Sequence, residues 1–175
     1  MDSDVNTSRH VVSRIDQEPS FINLPGSIVQ VEKRRFPRLH HLSMRRLILS
    51  PGGGREPHRR ANTHEFGYCV RGDARLTIVG DHGIRSTFTI GAGDRFFLAS
   101  GTLHNIENIG DVDAEFILAF FHEKPEDFGL PGAFDAMPGS VLANSPGVKA
   151  GARLNFARVG GDQDIFSLET TRNAE

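Results

Sequence analysis

The sequence predicts an all-β domain built as an antiparallel sandwich or barrel, and three observations carry that prediction. Short segments rich in β-branched and aromatic residues recur through the middle of the chain. Glycine-rich turns separate them, and almost nothing between them has helical periodicity. The 175 residues suffice for one domain with a sizeable core, and 38% hydrophobic content is ordinary for a globular chain.

In chain order, residues 1–24 are polar without sustained periodicity and read as an N-terminal arm. A sheet domain is expected over 25–148, with strands at 44–49, 66–70, 74–79, 86–90, 95–98, 104–108 and 114–121. Pro51-Gly52-Gly53-Gly54, Arg71-Gly72-Asp73, Gly80-Asp81-His82-Gly83, Gly91-Ala92-Gly93-Asp94, Ser100-Gly101-Thr102 and Gly110-Asp111 supply the turns. Beyond the last strand, 125–138 is rich in proline and glycine and is expected to be irregular, with one helical turn at 140–145. Residues 149–175 read as a polar C-terminal extension, and no internal repeat is visible.

Composition excludes several functions. A formal net charge of -2 lacks the electrostatic footprint of a nucleic-acid or anionic-membrane binder. The basic clusters at 33–38 and Arg59-Arg60 read as solvated or site-directed charge. No apolar run has membrane-spanning length. The acidic start Met1-Asp2-Ser3-Asp4 lacks the charged and apolar regions of a signal peptide, and the single Cys69 precludes an intrachain disulfide. A reducing, cytoplasmic setting is expected.

Chemistry concentrates in two stretches. The first is Pro57-His58-Arg59-Arg60-Ala61-Asn62-Thr63-His64-Glu65, running on to Gly72, and the second runs from Gly93-Asp94 through Gly101-Thr102-Leu103-His104-Asn105-Ile106-Glu107-Asn108. Strand residues two apart share a face, so His58 and Arg60 are expected to project into one interior, joined by Glu65 from the next strand and His104 from a distant one. Two imidazoles and a carboxylate suit Mn, Fe, Zn, Ni or Cu with positions left open. Arg60 cannot ligate, because a guanidinium stays protonated and offers only donors.

These stretches resemble the two motifs of the cupin superfamily, with Arg60 in place of the second histidine of motif one and Ala99 in place of a proline in motif two. Arg55-Glu56-Pro57-His58, Asn62, Glu65-Phe66-Gly67-Tyr68 and Gly72 through Val79 are most similar to the oxalate decarboxylase branch, over roughly 26–148. The resemblance implies a single cupin jelly-roll barrel with short flanking arms and little helix. It implies manganese or iron at His58, Glu65 and His104, a carboxylate-contacting role for Arg55, and a homodimer. It also implies a proton-donating lid acid after the last barrel strand, for which Glu123, Glu126 and Asp127 stand in range without a Ser-Glu-Asn-Ser motif.

Arg60 has three placements open to it. It turns outward and leaves a three-ligand metal site; it points inward and pairs with Glu65, supplying the charge an ion otherwise provides; or His64 substitutes as ligand. The last is disfavoured, since adjacent strand residues point to opposite faces and Glu65 needs the inner one. Repulsion between a fixed cation and a divalent ion favours no tightly held metal.

The expected function is therefore small-molecule chemistry on a carboxylate-bearing or otherwise anionic substrate. Arg55, Arg60 and Glu65 are the catalytic candidates, in lyase, isomerase, dehydratase or cyclase chemistry. The alternatives are a Mn- or Fe-dependent decarboxylase or dioxygenase using His58, Glu65 and His104, and a binding module without chemistry. Elsewhere the plain readings prevail. His40-His41 and His82 are ordinary surface or turn residues, Cys69 is a packed thiol, and Phe96, Phe97, Phe116, Phe120 and Phe121 are mostly core, with some at the barrel mouth.

Overall fold

Twelve strands in two antiparallel sheets face each other across an apolar core in a computed structural model that describes residues 21–23, 25–144 and 164–168. They are β1 (Phe21–Asn23), β2 (Gly26–Val31), β3 (Ser43–Leu49), β4 (Gly53–Arg60), β5 (Glu65–Arg71) and β6 (Ala74–Val79). There follow β7 (Arg85–Ile90), β8 (Arg95–Leu98), β9 (Leu103–Asn108), β10 (Ala114–Phe120), β11 (Asp127–Gly129) and β12 (Ile165–Ser167). One sheet runs β1-β2-β3-β10-β5-β8 and the other β11-β4-β9-β6-β7, with β12 also pairing β4. This is the antiparallel sandwich that the strand spacing predicted, in the jelly-roll arrangement that the resemblance implied.

Period-two alternation builds the core. On β3, Ser43, Arg45, Leu47 and Leu49 turn inward, and on β5 Glu65, Gly67 and Cys69 do so while Phe66, Tyr68 and Val70 face out. Leu47, Leu49, Leu76, Ile106, Phe116 and Phe120 are buried at the centre. Phe96 packs beside them because Gly67 leaves room: a Cβ there would meet the Phe96 ring at 2.1 Å. Phe97 and Phe121, read as core or mouth residues, lie instead on the outer surface. At Gly72 the chain turns at φ +78, and a Cβ would stand 2.6 Å from the Asp113 carbonyl oxygen.

Several elements depart from the sequence-based expectation: β1 and β2 fall where no strand was expected, and β4 begins at Gly53 and Gly54, which read as a turn. Helix α1 (Leu130–Ala136) occupies a stretch expected to be irregular, since Pro131 falls in the first turn, where its missing N–H is no loss. A second helix, α2 (Gly139–Asn144), matches the expected helical turn. The strands β11 and β12, each three residues long, carry no alternation long enough to detect and lie end to end along β4. Through β12 the extension reaches the core, where Ile165 is fully buried. Most of the arm at 1–24 and of the extension at 149–175 lies outside the described residues.

The positions that matter for chemistry cluster at one end of the sandwich. The β4 to β9 register sets His58 directly opposite His104, and β11 pairs Asp127 with Arg60. An irregularity between Arg55 and His58 breaks the alternation, so that Arg55, Glu56 and His58 are all buried.

Candidate functional site

The three strands β3, β4 and β9 and the start of β5 converge on His58, Arg60, Glu65, His104, Arg55 and Arg45, each with less than a tenth of its surface exposed. Of the three placements open to Arg60, the inward one is found. Its Nε donates to Glu65 Oε2 at 3.1 Å, and its guanidinium lies 4.6 Å from the centroid of the buried Phe120 ring. Arg45 approaches the same ring at 5.4 Å, so one aromatic floor supports two cations.

The histidine tautomers follow from their partners. His58 Nδ1 is 2.7 Å from the Glu56 carbonyl oxygen and His104 Nδ1 is 3.0 Å from that of Thr102. A carbonyl only accepts, so each Nδ1 carries the proton and each Nε2 presents a lone pair inward. Among the described residues His104 Nε2 has no hydrogen-bond partner, and it stands 3.8 Å from Glu65 Oε2. Burial, reinforced by Arg55 and His104, pushes the His58 pKa well below the ordinary value of 6.5. Burial also lowers His104, with Glu65 opposing in part. Both rings are therefore neutral bases, with centroids 4.3 Å apart.

Asp127 on β11 completes the cluster. Its Oδ2 lies 2.8 Å from Arg45 Nη1, 2.7 Å from Arg55 Nη2 and 2.9 Å from Arg60 Nη1. Burial would raise its pKa, but the Arg55, Arg60 and Arg45 guanidiniums together hold the carboxyl far below the usual carboxylate range. Arg55 also donates to the Asp164 carbonyl oxygen at 2.5 Å and pairs with its carboxylate at 2.9 Å. The open space inside is about 10 Å³, enough for one water.

The fold joins the residues singled out in the sequence: Arg55, His58, Arg60 and Glu65 line one small cavity, and His104 stands against His58 and Glu65. Arg55 is buried and paired with Asp127 and Asp164. His64 faces out, its Nδ1 accepting from the Ser100 amide at 3.0 Å, as strand alternation required. Asn108 of the second motif is structural: its amide donates to the Leu49 and Val112 carbonyl oxygens, each at 2.8 Å. Cys69 is a buried thiol whose pKa burial raises. Arg45 was missed, although its place between Ser43 and Leu47 on an alternating strand marks it as inward. Asp127 was named only among three loose lid candidates.

The cupin family profile matches residues 12–150. This chain belongs to the cupin family. Oxalate decarboxylase of Bacillus subtilis is 30% identical over 116 residues, covering 66% of this chain and 30% of that protein. A germin-like protein of Oryza sativa (3-5) is 28% identical and oxalate oxidase 2 of Hordeum vulgare 26%, each over 135 residues, or 72% of this chain and 60% of theirs. The chain therefore spans between about a third and three fifths of the relatives it matches. A solved structure of oxalate decarboxylase superposes with a TM-score of 0.76 at 24% identity over 86% of this chain and 39% of that one, a likeness of fold. Another, of the Bacillus subtilis enzyme, concerns its Mn(II) centres.

The donor set suits a divalent ion in kind. One donor atom from each of His58, Glu65 and His104 lies within 4.8 Å of the others, and the orphaned Nε2 of His104 is the atom a metal would take. The Arg60 guanidinium, bonded to the Glu65 oxygen nearest His104, opposes that charge and weakens the site.

Proposed function

We propose that this cupin is an enzyme acting on a small carboxylate-bearing molecule, held by guanidinium groups rather than chiefly by a metal. The observation that carries this reading is the meeting of Arg45, Arg55 and Arg60 on one carboxylate oxygen, within 2.9 Å in every case. Three guanidiniums from two strands make an anion site of fixed geometry. The names of the relatives agree, since oxalate decarboxylase and oxalate oxidase both act on a small dicarboxylate.

In this reading the arginines orient the substrate carboxylate and stabilise negative charge that develops beside it. His104 Nε2, neutral and unpartnered, accepts a proton, and Glu65 at 3.8 Å stabilises the imidazolium that forms. Phe120, Ile106 and Leu118 around the site exclude water and strengthen each interaction. The chemistry is that of a lyase, isomerase, dehydratase or cyclase. The free Nε2 also favours a second reading, in which a divalent ion, Mn or Fe by family resemblance, is held by His58, Glu65 and His104 and acts as a Lewis acid. A cytoplasmic homodimer completes the proposal: family resemblance supports the dimer and the lone reduced cysteine the compartment. Among the described residues no helix is long and apolar enough to cross a membrane.

Screening the full chain, before and after chelation, against small mono- and dicarboxylates tests this. Turnover that survives chelation and falls at least a hundredfold in Glu65→Gln, with binding retained, supports the metal-independent enzyme. Turnover abolished by chelation and restored by Mn or Fe supports the second reading. Binding without turnover by any acid reduces the protein to a ligand-binding module.

A further inference from the structure

The position at the centre of the three guanidiniums is filled by the chain itself. Asp127 Oδ2 contacts all three, but Arg60 Nη1 at 2.9 Å makes no aligned hydrogen bond, and among the described residues Arg45 Nε and Asp127 Oδ1 find no hydrogen-bond partner, Oδ1 standing 3.9 Å from His58 Nε2. One tethered oxygen cannot satisfy so many donors in good geometry. The remaining space of about 10 Å³ admits a water but no organic acid. While Asp127 is in place, the site that best fits a substrate carboxylate is closed to one.

The element carrying Asp127 is built to leave. Strand β11 is three residues long, lies on the edge of its sheet, and pairs with β4 alone. Its outer residue Phe128 is half exposed, touched by Arg59 at 5.3 Å. Beside it, Asp127, Phe128 and Gly129 of β11 and Gly132, Ala133 and Ala136 of α1 line a separate open cavity of about 490 Å³. Upstream, Asn62 holds the segment by two hydrogen bonds, donating to the Lys124 carbonyl oxygen at 3.1 Å and accepting from the Glu126 amide at 2.9 Å.

We propose that Asp127 is a tethered stand-in for the substrate carboxylate, and that a small free carboxylate binds Arg45, Arg55 and Arg60 only by displacing Asp127 as β11 lifts from β4. This rests on the carboxylate reading of the pocket and adds to it the occupant, the gate and the ligand class. With a monocarboxylate such as acetate the exchange leaves the net charge of the pocket unchanged, and with any of these acids three buried cations are never left bare. A free ligand with two oxygens can also serve the donors that Oδ2 leaves unaligned. The tether competes at the effective concentration of an intramolecular ligand, which sets a weak apparent affinity for the resting protein.

The test is titration of the full chain with acetate, oxalate and malonate, comparing wild type with Asp127→Asn and Asn62→Ala, alongside hydrogen exchange of the β11 amides in wild type. Asp127→Asn is expected to bind at least one acid tenfold or more tightly than wild type, and Asn62→Ala, which loosens the strap from outside the pocket, about threefold. Ligand is expected to speed exchange at residues 127–129. Equal affinity in wild type and Asp127→Asn overturns the displacement and leaves the carboxylate pocket standing. No binding by any form overturns the pocket and the displacement with it. If Asp127→Asn does not fold, Asn62→Ala and the wild-type exchange decide: unchanged affinity with unchanged β11 protection overturns the proposal.

Discussion

Arg60 Nε stands 3.1 Å from Glu65 Oε2, with both side chains almost wholly buried. A fixed cation thus holds the carboxylate that His58 and His104 would share with a metal. The pair governs which chemistry the pocket favours.

Replacing that cation by a neutral ligand should reverse the balance. Arg60→His is expected to bind Mn²⁺ at least tenfold more tightly than wild type, because an attractive donor replaces a repulsive charge. Isothermal titration with the metal and elemental analysis after dialysis check this. Equal affinity in the two proteins would mean that Arg60 does not weaken the site.

Acid should destabilise the fold in two stages. His58 and His104 have folded pKa values below the ordinary 6.5, so on acidification the unfolded chain takes up protons first. Stability is then unaffected well above pH 6.5 and falls below it, by up to roughly 1.4 kcal/mol per pH unit for each ring until the folded ring also protonates. Asp127, whose folded pKa is depressed, contributes stability above its ordinary 3.8 that is lost as pH falls below it. Urea unfolding at pH 8, 7, 6 and 5 reads the first stage. A flat or rising midpoint on acidification contradicts it.

The C-terminal strand belongs to the barrel. Ile165 is fully buried and β12 pairs Ile165 with Arg55, so Ile165→Ala should lower stability by about 2–5 kcal/mol. Its lost packing should also loosen Asp164 from Arg55 and weaken ligand binding. Thermal melts and a carboxylate titration of the variant check both; a change within 0.5 kcal/mol, the range of surface substitutions, would place the segment outside the core.

Much of this was legible in the residues. Glycine turns and period-two segments located β3 and the strands from β5 to β10 within a residue or two, because each has enough alternating positions to show its face, whereas the start of β4 reads as a turn because of Gly53 and Gly54. The two histidines and Glu65 could be joined because their strand positions share an interior. For Arg60 the spacing with His58 permits an inward placement paired with Glu65 without excluding an outward one; the inward pair is found. Asp127 escaped because β11 has three residues and gains its place from pairing with β4, a non-local contact that no local pattern encodes. Arg45 was readable by alternation with Leu47 and was passed over because no motif includes it. Helix α1 was hidden by Pro131 and Gly132, which favour turns except in a first helical turn.

Calorimetric titration of chelated protein with two- to four-carbon mono- and dicarboxylates tests the central claim most directly. Saturable one-to-one binding of at least one acid, strengthened in Asp127→Asn and weakened at least tenfold in both Arg55→Gln and Arg60→Gln, is the predicted result. Absence of binding in wild type and Asp127→Asn alike, or binding indifferent to both arginine substitutions, would contradict it.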